Sequence, residues 1–220
     1  MDTVSYWIAT AALLGSGIIY VHTIETRVRA NRRLVLLILG YFMSVAVIGQ
    51  LPVAEVFRFH FLLQTAGLLF LTLFLHMGKK LSWFEAAYYA IWAFMSWQLL
   101  FELTLVCAQG SFWQQEGRKL LLWLGEILVF AVGHAVITFT IGIWMPEKGK
   151  KKIGPRQFTL AVLTFIIFQM ISFVPGDMET VVKEQRWISR YLIQVLLAMT
   201  LYLQNELFKK SEMRKELELM

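Results

Sequence analysis

The chain has 220 residues, of which 58% are apolar and 16% charged, with a net charge of +6 and a single cysteine. Soluble domains run at about 45–50% apolar and about 25% charged, so the composition argues against one and for a polytopic membrane protein. Lone Cys107 excludes a disulfide framework within the chain. The basic excess reads as a determinant of bilayer orientation, and no nucleic-acid partner is expected.

A helix needs about 20 mostly apolar residues to cross the hydrocarbon core. In chain order, such stretches fall at 4–22, 34–51, 59–77, 82–106, 120–145, 158–174 and 187–208. The expected fold is therefore all-α, a bundle of about seven transmembrane helices. The start, MDTVSYW, lacks a basic leader, so the first stretch reads as a retained span. The second and sixth stretches are short; the fourth and fifth are long enough to tilt. Pro52, Pro146, Pro155 and Pro175 all lie at or beside span ends, which leaves the spans continuous. No internal repeat is visible.

Loop charge gives the orientation. On one side lie Arg27, Arg29, Arg32 and Arg33; Lys79 and Lys80; Lys148, Lys150, Lys151, Lys152 and Arg156; and Lys209, Lys210, Arg214 and Lys215. These are fifteen of the 21 Lys and Arg residues; Arg58, Arg118, Lys119, Lys183, Arg186 and Arg190 make up the other side. The positive-inside rule then puts the N-terminus outside and the C-terminus inside. Trp7, Trp83, Trp123, Trp144 and Trp187 sit near span ends, where amphipathic rings favour the headgroup level.

Ionisable groups inside spans are functional candidates because burying them is costly. Glu102 falls in the outer part of span four and Glu126 near the outer end of span five. Each could meet a ligand, snorkel to the interface, or pair with Arg118 or Lys119. His134 lies deeper in span five, His60 near the outer end of span three, and His22 and His76 near inner ends. That pattern is thin for haem, and no cofactor or metal is expected. No HExxH occurs, and LLGSG has Leu14 where a rhomboid-type GxSG needs glycine, so no catalytic residues are assigned. Span four is crowded with Phe84, Tyr88, Tyr89, Trp92, Phe94, Trp97 and Phe101, which read as packing or lipid-facing groups before a ligand box.

The outer loops AQGSFWQQEG and VPGDMETVVKEQRW are too short for an independent domain. A small extracellular ligand, or a peptide, would have to bind them together with the outer span ends. The candidate ligand residues are Glu102, Phe112, Trp113, Gln114, Glu116, Glu126, Asp177 and Glu179, with Glu184 adding to the acidic face of the second loop.

Residues 1–208 thus read as a transmembrane bundle and 209–220 as the start of a cytoplasmic helix. Leu203, Lys210 and Leu217 are spaced by seven, and Glu206, Met213 and Met220 form a second set three residues on. This weak heptad fits a helix that pairs with its twin, making a homodimer, or a solvated tail. As a relay it would run through Leu203, Leu207, Met213, Leu217 and Met220.

The tail LFKKSEMRKELELM after WISRYLIQVLLAMTLYLQNE resembles the junction in GHKL-type sensor histidine kinases, including the Agr-type quorum-sensing receptors of Gram-positive bacteria. GKKLSWFEAAYYAIWAFMSWQLLFEL resembles their third-to-fourth span region, and the likeness extends to the layout of the whole chain. The resemblance implies a multi-pass sensor in a bacterial plasma membrane that feeds a histidine kinase module. The sequence ends at Met220, before any phosphoacceptor helix or ATP-binding segment, so no enzymatic activity is expected of it and no catalytic residue carries over. A small transporter, or an accessory subunit of one, using Glu102, Glu126 and His134 is the alternative.

Overall fold

A computed structural model describes residues 3–24, 32–50, 62–79, 81–108, 118–144, 153–172 and 192–196, and residues 199, 203, 210 and 214 singly. Every regular element among them is helical: α1 (Thr3–Ile24), α2 (Arg32–Gln50), α3 (Gln64–Lys79), α4 (Trp83–Ala108), α5 (Lys119–Trp144) and α6 (Pro155–Ser172), with helical backbone again at 192–196. The chain forms two compact units, Met1–Lys152 and Ile153–Met220. Within the described residues, Arg32–Gln50 and Lys119–Val136 are long and apolar enough to cross a membrane, and Val4–Ile19, Gln64–Gly78 and Pro155–Ile171 are shorter apolar helices.

Helix starts follow local chemistry. Ser82 opens α4 with a capping box: its hydroxyl and backbone N–H both donate to Glu85 Oε2, at 2.8 and 3.0 Å. Just before it, His76 Nδ1 donates to the Leu81 carbonyl at 2.7 Å and its ring stacks on Trp83 at 4.0 Å, which pins the α3–α4 turn. His76 thus has a structural task; the side chain of His22 lies outside the described residues. Pro155 begins α6 three residues ahead of the expected 158, because the first helical position tolerates proline and the Gly154 N–H is taken by Gln157 Oε1 at 3.1 Å. α3 is regular from Gln64, after a π-type turn at 62–63, and residues 59–61 of the expected span lie outside the described residues.

In the first unit, α4 is the central helix, packed on α3, α1 and α5, while α1 also meets α5 and α3, and α2 lies on α3. α4 is buried around most of its circumference, through Ala86, Ala90, Ala93, Phe94, Met95, Trp97, Leu100 and Phe101, with Tyr89, Trp92, Ser96 and Leu99 half-buried on the remaining face. Small residues let the helices close up. A Cβ on Gly17 would come 2.8 Å from Leu71 Cδ2, and one on Gly67 would come 2.8 Å from Leu13 Cδ2. Leu13 and Gly17 of α1 therefore interlock with Gly67 and Leu71 of α3, and the rising numbers on both sides make the helices parallel. Ser16 Oγ donates to the Ala93 carbonyl at 2.8 Å and Trp97 Nε1 to the Ala9 carbonyl at 2.8 Å, so α1 and α4 are antiparallel. Leu34 lies against Gly78, and Tyr41 stacks on Phe70 at 4.2 Å, so α2 and α3 are antiparallel. The four helices alternate up and down.

In the second unit, α6 buries Ala161 and Phe168, seven residues apart, and exposes Leu163, Ile166, Ile167 and Met170. In the segment 192–196, Gln194 is buried while Leu192, Ile193 and Leu196 are exposed.

Candidate functional site

The alternation gathers the start of α1, the end of α2, the start of α3 and the last turns of α4 at one end of the first unit. A cavity of about 30 Å³ opens there, lined by Tyr6, Ala9, Thr10, Leu13, Tyr41, Leu63, Gln64, Trp97 and Phe101. At rest it has room for a water molecule or two. Its walls are tied to backbone: Tyr6 OH donates to the Val45 carbonyl at 3.1 Å, and Thr10 Oγ1 to the Tyr6 carbonyl at 2.9 Å. Trp97 is fixed by its bond to Ala9 and stacks on Phe101 at 5.3 Å. The lining contains no charged side chain, and Leu63 contributes from the π-type turn, a geometry often found at functional sites. Hydroxyls, an amide and aromatic faces around a void can hold an uncharged or aromatic group.

A second set of polar groups lies on α4 and α5. Gln98 and Glu102 are one turn apart on α4, both buried, with Gln98 Nε2 donating to Glu102 Oε1 at 3.4 Å. Among the described side chains of α5 the buried ones are Glu126, Phe130 and His134, a single stripe at i, i+4, i+8. His134 Nδ1 donates to the Phe130 carbonyl at 2.8 Å. Beside this stripe, Gly133 lets Leu100 of α4 come so close that a Cβ at 133 would collide with it.

Glu102 and Glu126 are therefore inside the fold rather than snorkelled to its surface. Phe112, Trp113, Gln114, Glu116, Asp177 and Glu179 lie outside the described residues. Of the relay positions, Leu203 is helical and exposed, as are Lys210 and Arg214; the side chains of Leu207, Met213, Leu217 and Met220 lie outside the description. Among the described residues no three His, Cys, Asp or Glu side chains come together as a metal site. No family model, curated protein or solved structure matches the chain.

Sequence reasoning missed Tyr6, Thr10, Tyr41 and Gln64. Each is an unremarkable residue on its own helix. The signal that points to them is the alternation itself, which sends Tyr6, Gln64 and the Trp97–Phe101 turn to one end.

Proposed function

We propose that the chain is a multi-span bacterial plasma-membrane sensor module that detects a small extracellular molecule or peptide and relays it through residues 187–220 to a cytoplasmic histidine kinase module. The observation that carries the membrane placement is the inverted polarity of α5. Glu126 and His134 are 9% and 8% exposed, whereas Leu128 and Val132 on the opposite side are 62% and 53% exposed. A helix on the surface of a water-soluble domain has the reverse arrangement. Intramembrane ionisable groups face the bundle interior while the apolar face meets lipid. Gln194 between exposed Leu192 and Leu196 repeats the pattern. The seven-span topology, N-terminus out, rests on the loop charges and the up-down alternation.

The cavity between α1, α2, α3 and α4 is at the outer end in that topology, and supports sensing there. A void too small for a ligand at rest must open to admit one. A ligand that binds only the opened arrangement shifts the population toward it, which is the requirement for a signal. Pairing of two copies through the terminal helix would carry the change inward.

The test uses Cys107→Ser with Met213→Cys, so that crosslinking in native membranes reads tail pairing. Conditioned culture medium should change the yield in this protein and leave it unchanged when Gln64→Trp fills the cavity. A yield that never responds sinks the sensor reading; an equal response in the filled variant removes the cavity from it. The buried Glu126–His134 stripe favours a second reading, a proton-coupled transporter. That reading requires proteoliposomes to dissipate a proton gradient, and Glu126→Gln to stop them.

A further inference from the structure

At the opposite end of the first unit, α2 begins, α3 ends and α4 begins. Leu34 of α2 touches the Gly78 position of α3, so Arg32 and Arg33, in the turn just before it, stand beside the last turn of α3. Both arginine side chains are exposed. Lys79 closes α3, and Lys80 follows in the sequence. Among the described residues of this corner the acid is Glu85, and its carboxylate is engaged by the Ser82 cap. At the same end, Trp83 and Phe84 are 56% and 67% exposed in the first turn of α4. The Trp83 ring is not free to turn, because it lies flat on His76 at 4.0 Å, and His76 is itself held by the Leu81 carbonyl. A fixed tryptophan and an exposed phenylalanine at the end that carries Arg32 and Arg33 make an amphipathic corner: rings for the acyl boundary, guanidinium forks for phosphate.

We infer that this α2–α3–α4 corner is a binding site for the headgroup of an anionic phospholipid, with Arg32 and Arg33 on the phosphate and Trp83 and Phe84 seated among the first methylenes. The inference rests on the membrane reading above and adds a partner to it. Charge complementarity selects the anionic lipid, since a zwitterionic headgroup brings its own cation to the corner. The positions of the aromatics select lipid over a free anion, which would leave both rings in water. Each basic residue near an anionic surface contributes about fivefold to binding, so two arginines account for about thirtyfold.

The experiment is native mass spectrometry of the purified full chain in micelles, titrated with phosphatidylglycerol or phosphatidylcholine. The chain should retain phosphatidylglycerol preferentially. Arg32→Gln with Arg33→Gln should weaken that retention about thirtyfold, at unchanged helicity and melting temperature. The adjacent pair Arg118→Gln with Lys119→Gln, equal in charge lost, should leave it within about twofold, as expected of cations at a different place. Equal retention of both lipids, or equal weakening by both double variants, overturns the site. Displacement of the lipid by inorganic phosphate overturns it in favour of a free-anion site. Alkaline carbonate washing of membranes separates the two levels. A chain that washes off refutes the membrane reading and this site with it, whereas a chain that stays without lipid preference refutes the site alone.

Discussion

Gly133→Ala is the sharpest test of how α4 and α5 pack. The new methyl collides with Leu100 Cδ2, and Leu100 Cδ1 and Cγ are only 3.0 and 3.1 Å from its position. Because Cγ is included, the tip of Leu100 cannot simply swing aside; the whole isobutyl group or the helix axis must move. Leu100 is buried on a helix surrounded by neighbours, so it has little room. Overpacking of this kind costs ~1–3 kcal/mol. Replacing glycine by alanine in a helix returns up to ~1 kcal/mol, and Gly125→Ala on the same helix isolates that gain, since nothing lies within 4 Å of its Cβ position. The difference between the two variants is then ~1–3 kcal/mol, or about 2–12 °C in melting temperature for a chain of this size. Tryptophan fluorescence during thermal unfolding in micelles reads it. Leu100→Ala supplies the internal check: alone it should cost ~2–5 kcal/mol, and in the Gly133→Ala background ~1–3 kcal/mol less. The reasoning fails if Gly133→Ala melts with or above Gly125→Ala, or if Leu100→Ala costs the same in both backgrounds.

Three further outcomes follow from single contacts. Ser16→Ala removes the buried bond to the Ala93 carbonyl and should lower stability by ~0.5–1.5 kcal/mol in the same melt, whereas Ser44→Ala, whose exposed hydroxyl turns back on Gly40 of its own helix, should stay within ~0.5 kcal/mol. Ser82→Ala unmakes the α4 cap, with an expected loss of ~1 kcal/mol visible as faster amide hydrogen exchange in the first turn of α4; unchanged exchange there contradicts the cap. Single cysteines from Leu203 to Met220 in a Cys107→Ser background should crosslink with peaks at Met213, Leu217 and Met220, and a flat low profile removes the paired terminal helix.

Helix positions were legible because each is one long apolar run with proline only at its edges. The ends were less so. Pro155 reads as a boundary, but only the Gln157 side chain returning to Gly154 shows that the helix starts on the proline itself. The stripe of Glu126, Phe130 and His134 is visible as a spacing of four. Which face of α5 is buried is not, because the residues around the stripe are nearly all apolar and give no contrast. The cavity was beyond reach for a different reason. Tyr6, Tyr41, Gln64 and Trp97 come from four helices, and their meeting depends on axial register, which is set by Leu13 over Gly67 and Leu71 over Gly17. No local pattern encodes such a pairing.

Those two interlocked pairs act as teeth. Leu13 of α1 enters the notch at Gly67 of α3, and one turn along, Leu71 of α3 enters the notch at Gly17 of α1. A small slide of α1 along α3 drives both leucines into backbone at once. A slide of a full turn, about 5.4 Å, moves each leucine past its glycine to a position with a side chain. The two helices can separate or tilt about this clasp, but they cannot glide. Leu13 is also a wall of the cavity, so widening that moves α1 away from α3 lifts a tooth as it opens the void.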